Sequence, residues 1–285
     1  MSYSHLISKD ATIDEVRALE PNHTTRNVLV GIGFLLVLAW SVQTVDFVKV
    51  AENLSLFGDR WFIIRGLLIG LVSPNMDWLT SFDRYSTSIP YLMFETVSIA
   101  FLGTIIGSIL AIPFAFISSR NIVGKLSYLG IISITLVRTF PVFILGLMFI
   151  KVAGPGPFAG VLTIGVSSIG MITKLYIEAI EDIDRGILDA LDSAGCTTLQ
   201  KVRYGILPQL SANFISTAIY RFEINVRNAT VLGLVGAGGI GATLIFALSA
   251  QRWNDVAACL WGIVVVVLII EFASTAIRKK LATGE

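Results

Sequence analysis

Five charged side chains fall inside stretches that are otherwise apolar: Glu95, Arg138, Arg221, Glu223 and Arg227. An ion at bilayer depth is costly unless it is paired or hydrated, so each must face a protein interior or a water-filled cavity. Glu223 and Arg227 stand one helical turn apart and can pair along one helix. Glu95 and Arg138 belong to two different apolar stretches and form the candidate inter-helix pair. Two readings of these charges stand side by side. Mutual neutralisation would fix helix packing; alternatively, Arg138 or Arg227 would line a path and offer a guanidinium to a passing oxyanion. Such a path has to bind weakly, because a full bidentate clamp would trap its cargo.

Other chemistries lack their parts. The two histidines, His5 and His23, lie in the N-terminal tail, and no Ser or Thr in the apolar stretches has a visible base beside it. Cys196 and Cys259 are far apart, with no further ligand at metal spacing, and read as free thiols rather than a metal site. Gly236, Gly238 and Gly241 spell G-x-G-x-x-G with Asp255 downstream. A dinucleotide fingerprint needs a strand–turn–helix around it. Here the glycines follow one apolar stretch and precede another, so they read as a close-packed or irregular turn. No G-x-x-x-x-G-K-[ST] occurs. The chain is therefore expected to be no enzyme and to bind no cofactor; an ATP-driven process would draw its ATP and Mg from a partner chain.

The elements that must hold these residues follow from composition. Charged residues are 14% of the chain and the mean hydropathy is +0.78, too little polar surface to cover a water-soluble globule. Lipid is part of the solvent. A net charge of +1 gives no reason to expect nucleic acid as a partner. Six stretches have about the 20 apolar residues a membrane crossing needs: residues 27–47, 90–117, 127–151, 158–180, 209–234 and 256–276. The fifth is the weakest, being interrupted by Arg221, Glu223 and Arg227. The runs are continuous rather than alternating, which predicts helices and not a barrel. The expected class is all-α and polytopic, with a tail over residues 1–26 and a transmembrane domain over 27–285. With the N-terminus inside, eleven Lys and Arg fall in cytoplasmic segments and five in outer ones, which places both termini and the loop 181–208 in the cytoplasm. The tail lacks the pattern of a cleavable signal. The outer segment 48–89, with Trp61, Phe62, Trp78 and Tyr85, is expected to lie on the membrane surface. Pro141, three residues after Arg138, marks a possible kink in the third stretch.

The loop 181–208 reads EDIDRGILDALDSAGCTTLQKVRYGILP. Asp184 can cap a first helix that places Ile187, Leu188, Leu191 and Ala194 on one face. Gly195 suits the left-handed residue that ends it. Thr197 and Gln200 have the form of a capping box for a second helix, with Leu199, Val202 and Ile206 on a common face. Pro208 is expected to turn the chain back into the membrane. The result is a helix-turn-helix with an exposed apolar stripe. Five acids against three bases disfavour both an anionic leaflet and nucleic acid as the home of that stripe, and leave a protein groove.

The run Asp189, Ala190, Gly195, Leu207 and Pro208 resembles the EAA loop of importer-type ABC transporter permeases: an acid and alanine, a glycine six residues on, then Leu-Pro. The chain departs from that pattern in Asp for Glu at 189, Leu for the second Ala at 191, and Gly205 where isoleucine is usual. Three stretches, RTFPVFILGLMFIKVAGPGPFAGVLTIGV from Arg138, KLYIEAIEDIDRG from Lys174 and NATVLGLVGAGGIG from Asn228, resemble the phosphonate permease branch. The resemblance spans about residues 90–280. It implies a type I ABC importer permease (MetI-like) fold in a bacterial inner membrane, a homodimer, two ATP-binding subunits, and an extracytoplasmic binding protein that delivers a phosphonate or related phosphorus oxyanion. It also implies that Asp189, Ala190, Leu191, Ala194, Gly195, Thr197, Leu199, Leu207 and Pro208 form the ATPase-coupling loop. Alternatives are a permease for methionine or another small solute, and an ion-coupled transporter using Glu95 or Glu223 as a proton carrier.

Overall fold

The computed structural model describes residues 24–44, 58, 61–81 and 88–283. The tail through residue 23 with its histidines, and Lys49, Arg60, Arg84 and Tyr85, lie outside them. The described residues are helical and contain no strand. The chain divides into two units, residues 1–64 and 65–285. The first contains α1 (Thr24–Thr44), an apolar helix long enough to cross a membrane.

The second unit begins within α2 (Trp61–Val72) and continues through α3 (Met76–Thr80), α4 (Ile89–Ser118), the one-turn α5 (Arg120–Val123), α6 (Ser127–Thr139), α7 (Val142–Ala153) and α8 (Pro157–Glu181). It then runs through α9 (Arg185–Ser193), α10 (Thr198–Gln200), α11 (Leu207–Gly233), α12 (Ile240–Ser249) and α13 (Trp253–Thr283). Among the described residues five segments are long and apolar enough to span: Asn27–Thr44, Ile89–Ser118, Arg120–Thr139, Pro157–Glu181 and Trp253–Ala282. The expected fifth span is α11, whose 27 residues reach about 40 Å. It falls short only in apolarity, and it turns Arg221, Glu223 and Asn225 inward.

Helices α4, α8 and α11 form the centre. Gly103, Gly107, Ala111 and Ala115 recur every fourth residue along one buried stripe of α4. A side chain at Gly107 would run into Ser168 of α8, so the two helices approach closely there. Asn225 of α11 closes this seam by donating to Thr104 at 2.8 Å and to Ser168 at 2.7 Å. Towards the loop end, Tyr176 stacks on Phe214 with ring centroids 4.1 Å apart and donates to the Phe214 carbonyl at 3.1 Å.

Two expectations need correction. The third stretch is two helices, α6 and α7, separated by extended Phe140 (φ −75°, ψ 121°) and Pro141 (φ −60°, ψ 137°). Proline has no N–H to give and biases the residue before it away from helix, so the stretch breaks rather than kinks. Pro208 does not turn the chain. Lys201–Ile206 form a π-helical segment that passes directly into α11, and this wider winding absorbs the proline. The glycine run leads into a short apolar helix, α12, that hydropathy over a full span does not single out.

Within the second unit, residues 66–75 are fastened to the first half of α13. Side chains at Gly66 and Gly70 would strike Trp253, Trp261 donates to the Leu71 carbonyl at 3.0 Å, and Asn75 donates to Asp255 at 2.8 Å.

Candidate functional site

The break between α6 and α7 opens a cavity of about 340 Å³ lined by Arg138, Phe140, Pro141, Val142, Ser167, Met171, Arg221, Ile224 and Asn228, with Val137. Arg138 is the last basic residue of α6. Gly170 of α8 leaves room for its stem, since a Cβ there would fall on the Arg138 side chain. Arg221 stands 14 residues beyond Leu207, near the middle of α11. It is only 5% exposed. Its guanidinium donates to the Ser167 hydroxyl at 3.3 Å, and its Nε has no partner among the described residues. Among the described residues no acid lines the cavity.

The break also exposes a helix start. The first intrahelical bond of α7 runs from the Leu145 N–H to the Pro141 carbonyl at 3.1 Å. The N–H groups of Val142, Phe143 and Ile144 therefore have no partner within their helix. Val142 at this helix start and the two arginines line one space together with Ser167 and Asn228, an arrangement that attracts anions.

Glu223 and Arg227 pair as their spacing predicts, at 3.0 Å. Two residues the sequence reading did not single out join them from α13: Glu271 accepts from Arg227 at 3.0 Å and Arg278 donates to Glu223 at 3.3 Å. Glu223 is 8% exposed and holds both arginines. Glu271 carried a signal, as the lone charge in the sixth apolar stretch. Arg278 lies beyond that stretch, in the C-terminal segment that the basic-residue count places in the cytoplasm.

Glu95 and Arg138 are not brought together. The Glu95 carboxylate accepts the Gly239 N–H at 3.1 Å, and Thr96 accepts the Ile240 N–H at 3.0 Å. Both acceptors satisfy the start of α12. The G-x-G-x-x-G run is thus a structural turn clasped by α4.

In the loop, Asp184 accepts the Gly186 N–H at 2.9 Å and caps α9. Gly195 takes φ +75°, and the Cys196 N–H reaches the Leu191 carbonyl at 3.0 Å, closing α9 in the way its sequence predicts. Gln200 accepts the Thr197 N–H at 2.8 Å. Lys201 pairs with Asp192 across the turn. Most of the expected apolar stripe turns inward. Leu188, Val202, Ile206 and Leu207 pack against Ile180, Ile183 and Leu210. Leu191 lies on Gly205. The remaining outer face carries Asp189, Ala190, Ala194, Thr197, Leu199 (78% exposed) and Tyr204 (69% exposed), with Pro208 beside it. Tyr204 was not anticipated, because its position falls off the helical face that the π segment later rotates.

Residues 103–283 match the family model described as binding-protein-dependent transport system inner membrane component. The chain is 32% identical over 254 residues to the phosphite transport system permease protein PtxC of Stutzerimonas stutzeri, covering 88% of this chain and 87% of that one. It is 33% identical to the phosphate-import permease protein PhnE of Mycolicibacterium smegmatis over 92% of this chain and 49% of that one. A solved structure of inward-facing conformations of the MetNI methionine ABC transporter superposes with TM-score 0.59 at 22% identity, over 66% of this chain and 94% of that one. This likeness carries the fold, a MetI-like arrangement of helices. Together with a family match over most of its length, it shows that this chain belongs to the binding-protein-dependent inner membrane components, the transmembrane permease subunits of ABC importers.

Proposed function

We propose that this chain forms the translocation path of an ATP-driven importer of phosphorus oxyanions. The observation that carries this reading is Arg221, a buried guanidinium with no carboxylate within ion-pair reach among the described residues. The membrane-embedded clusters hold Arg138, Arg221, Arg227 and Arg278 against Glu223 and Glu271. Arg221 is the buried member of this surplus, and a buried cation without a carboxylate is stable only beside water or a transient anion. The names of the relatives, phosphite and phosphate permeases, agree with an anionic cargo of this kind.

In this reading the chain works as a homodimer. The outer face of the loop, with Asp189, Ala190, Ala194, Gly195, Thr197, Leu199 and Pro208 and held from inside by Leu191 and Leu207, seats in a groove of an ATP-binding subunit, which supplies ATP and Mg. Both termini are cytoplasmic, and an extracytoplasmic binding protein delivers the oxyanion at the opposite surface. Proteoliposomes holding the chain with its ATP-binding subunit and binding protein test this directly. ATP-dependent uptake of phosphite, methylphosphonate or phosphate is expected. Uptake driven by a pH gradient without nucleotide, or ATP-driven uptake of methionine and of no phosphorus oxyanion, would overturn it.

A further inference from the structure

The cavity at the break of the third span carries more than a general preference for anions. Two guanidiniums share a space with no acid on its wall among the described residues, so only water or an entering anion offsets their mutual repulsion. Arg221 Nε is buried and has no partner among the described residues. The α7 start adds N–H groups with no intrahelical bond. These three observations are independent, and all call for an acceptor with several oxygens. The remainder of the wall adds one polar side chain, Asn228, to this donor set, and its apolar part, Phe140, Met171 and Ile224, offers no hydrogen bond to an oxygen turned towards it.

From this convergence we propose that the cavity is a transient binding site for a small tetrahedral phosphorus oxyanion bearing one non-oxygen substituent. Arg221, Arg138 and the first N–H groups of α7 take the oxygens, Ser167 holds Arg221 in place, and Met171 and Ile224 face the P–H or P–C side. The site rests on the reading of the chain as a phosphorus-oxyanion permease, and it locates the cargo's mid-membrane stop. Phosphate, with an oxygen at every corner, leaves one unpartnered against the apolar wall and binds less well.

The test is the phosphorus NMR line width of methylphosphonate titrated with the full-length chain and its ATP-binding subunits in zwitterionic nanodiscs. Wild-type protein is expected to broaden the line saturably. Arg221→Gln is expected to weaken this at least ~10-fold, with partial recovery in Arg221→Lys. Arg138→Gln, at an exposed side chain, gives a second reading should Arg221→Gln fail to fold. Arg65→Gln, remote from the cavity, leaves the broadening as in wild type. Broadening unchanged in both Gln variants overturns the site, and so does equal or tighter competition by inorganic phosphate. The same chemistry is present in a lipid headgroup. Loss of the wild-type signal in phosphatidylglycerol nanodiscs assigns the cavity to lipid and also overturns the proposal. Normal uptake with normal binding in the Arg221 variants removes the site and leaves the importer reading intact. Arg221-dependent binding without any uptake does the reverse.

Discussion

The Leu191 side chain occupies the space that a side chain at Gly205 would fill: a Cβ at 205 would lie 2.5 Å from Leu191 Cδ1. These are two of the positions where the loop departs from the usual EAA pattern, which has a small residue at 191 and a large one at 205. The departures compensate by exchanging volume across one contact. Gly205→Ile alone is therefore expected to destabilise the loop by about 1–3 kcal/mol through overpacking. Leu191→Ala alone is expected to cost about 2 kcal/mol or more through the void it leaves. The double variant should recover much of both losses, and a thermal-unfolding double-mutant cycle measures the coupling. Strict additivity would remove the compensation.

Gly195 sits at φ +75° with open space around it, so only the backbone restricts substitution. Alanine is expected to cost about 1–2 kcal/mol there, and a β-branched residue more. Gly195→Val should leave the chain inserted but separate ATP hydrolysis from uptake in proteoliposomes. Tight coupling in that variant would count against docking at this turn.

Leu199 and Tyr204 are large, apolar and outward, whereas Leu188 and Ile206 of the same loop are packed inside. Leu199→Asp and Tyr204→Asp should weaken co-purification of the ATP-binding subunit and leave the melting temperature of the isolated chain within a degree or two, as surface changes do. Leu188→Asp and Ile206→Asp should lower the melting temperature. An equal effect of all four on stability would mean that the outer face is not a docking face.

Glu223 is the hub of the four-residue charge network. Glu223→Gln leaves Arg227 with Glu271 and leaves Arg278 without a carboxylate among the described residues. Glu223 is buried but its two arginines are partly exposed, so breaking these pairs costs about 1–3 kcal/mol. Glu271→Gln, at a half-exposed carboxylate, should cost under about 1 kcal/mol. Melting temperatures of the two variants in one detergent give the comparison, and a larger loss for Glu271→Gln would refute the hub.

Local chemistry was legible in the sequence, and long-range partnership was not. Asp184, Gly195 and the Thr197–Gln200 cap act within one or two turns of chain, and Glu223–Arg227 within one turn, so spacing alone places them. Glu95 meets Gly239 across 144 residues, a pairing set by how α4 packs on the glycine turn. No sequence interval encodes it. The break at Phe140–Pro141 was visible as a proline, yet hydropathy averages over the break and returns one span. The inward turn of Val202 and Ile206 and the outward turn of Tyr204 follow from π winding, which shifts every later side chain away from its 3.6-residue face.

That winding has a mechanical consequence. From Thr198 to Gly233 the backbone is helical without interruption, so Leu199 and Tyr204 of the loop's outer face and Arg221 belong to one rod. Rotating the rod by about 10° about Pro208 carries Arg221, roughly 20 Å farther along the axis, through about 3 Å. Three ångströms is the reach of one hydrogen bond. A lever with that throw can engage or release a cargo oxygen by its tilt alone, with no hinge between the two ends to take up the stroke.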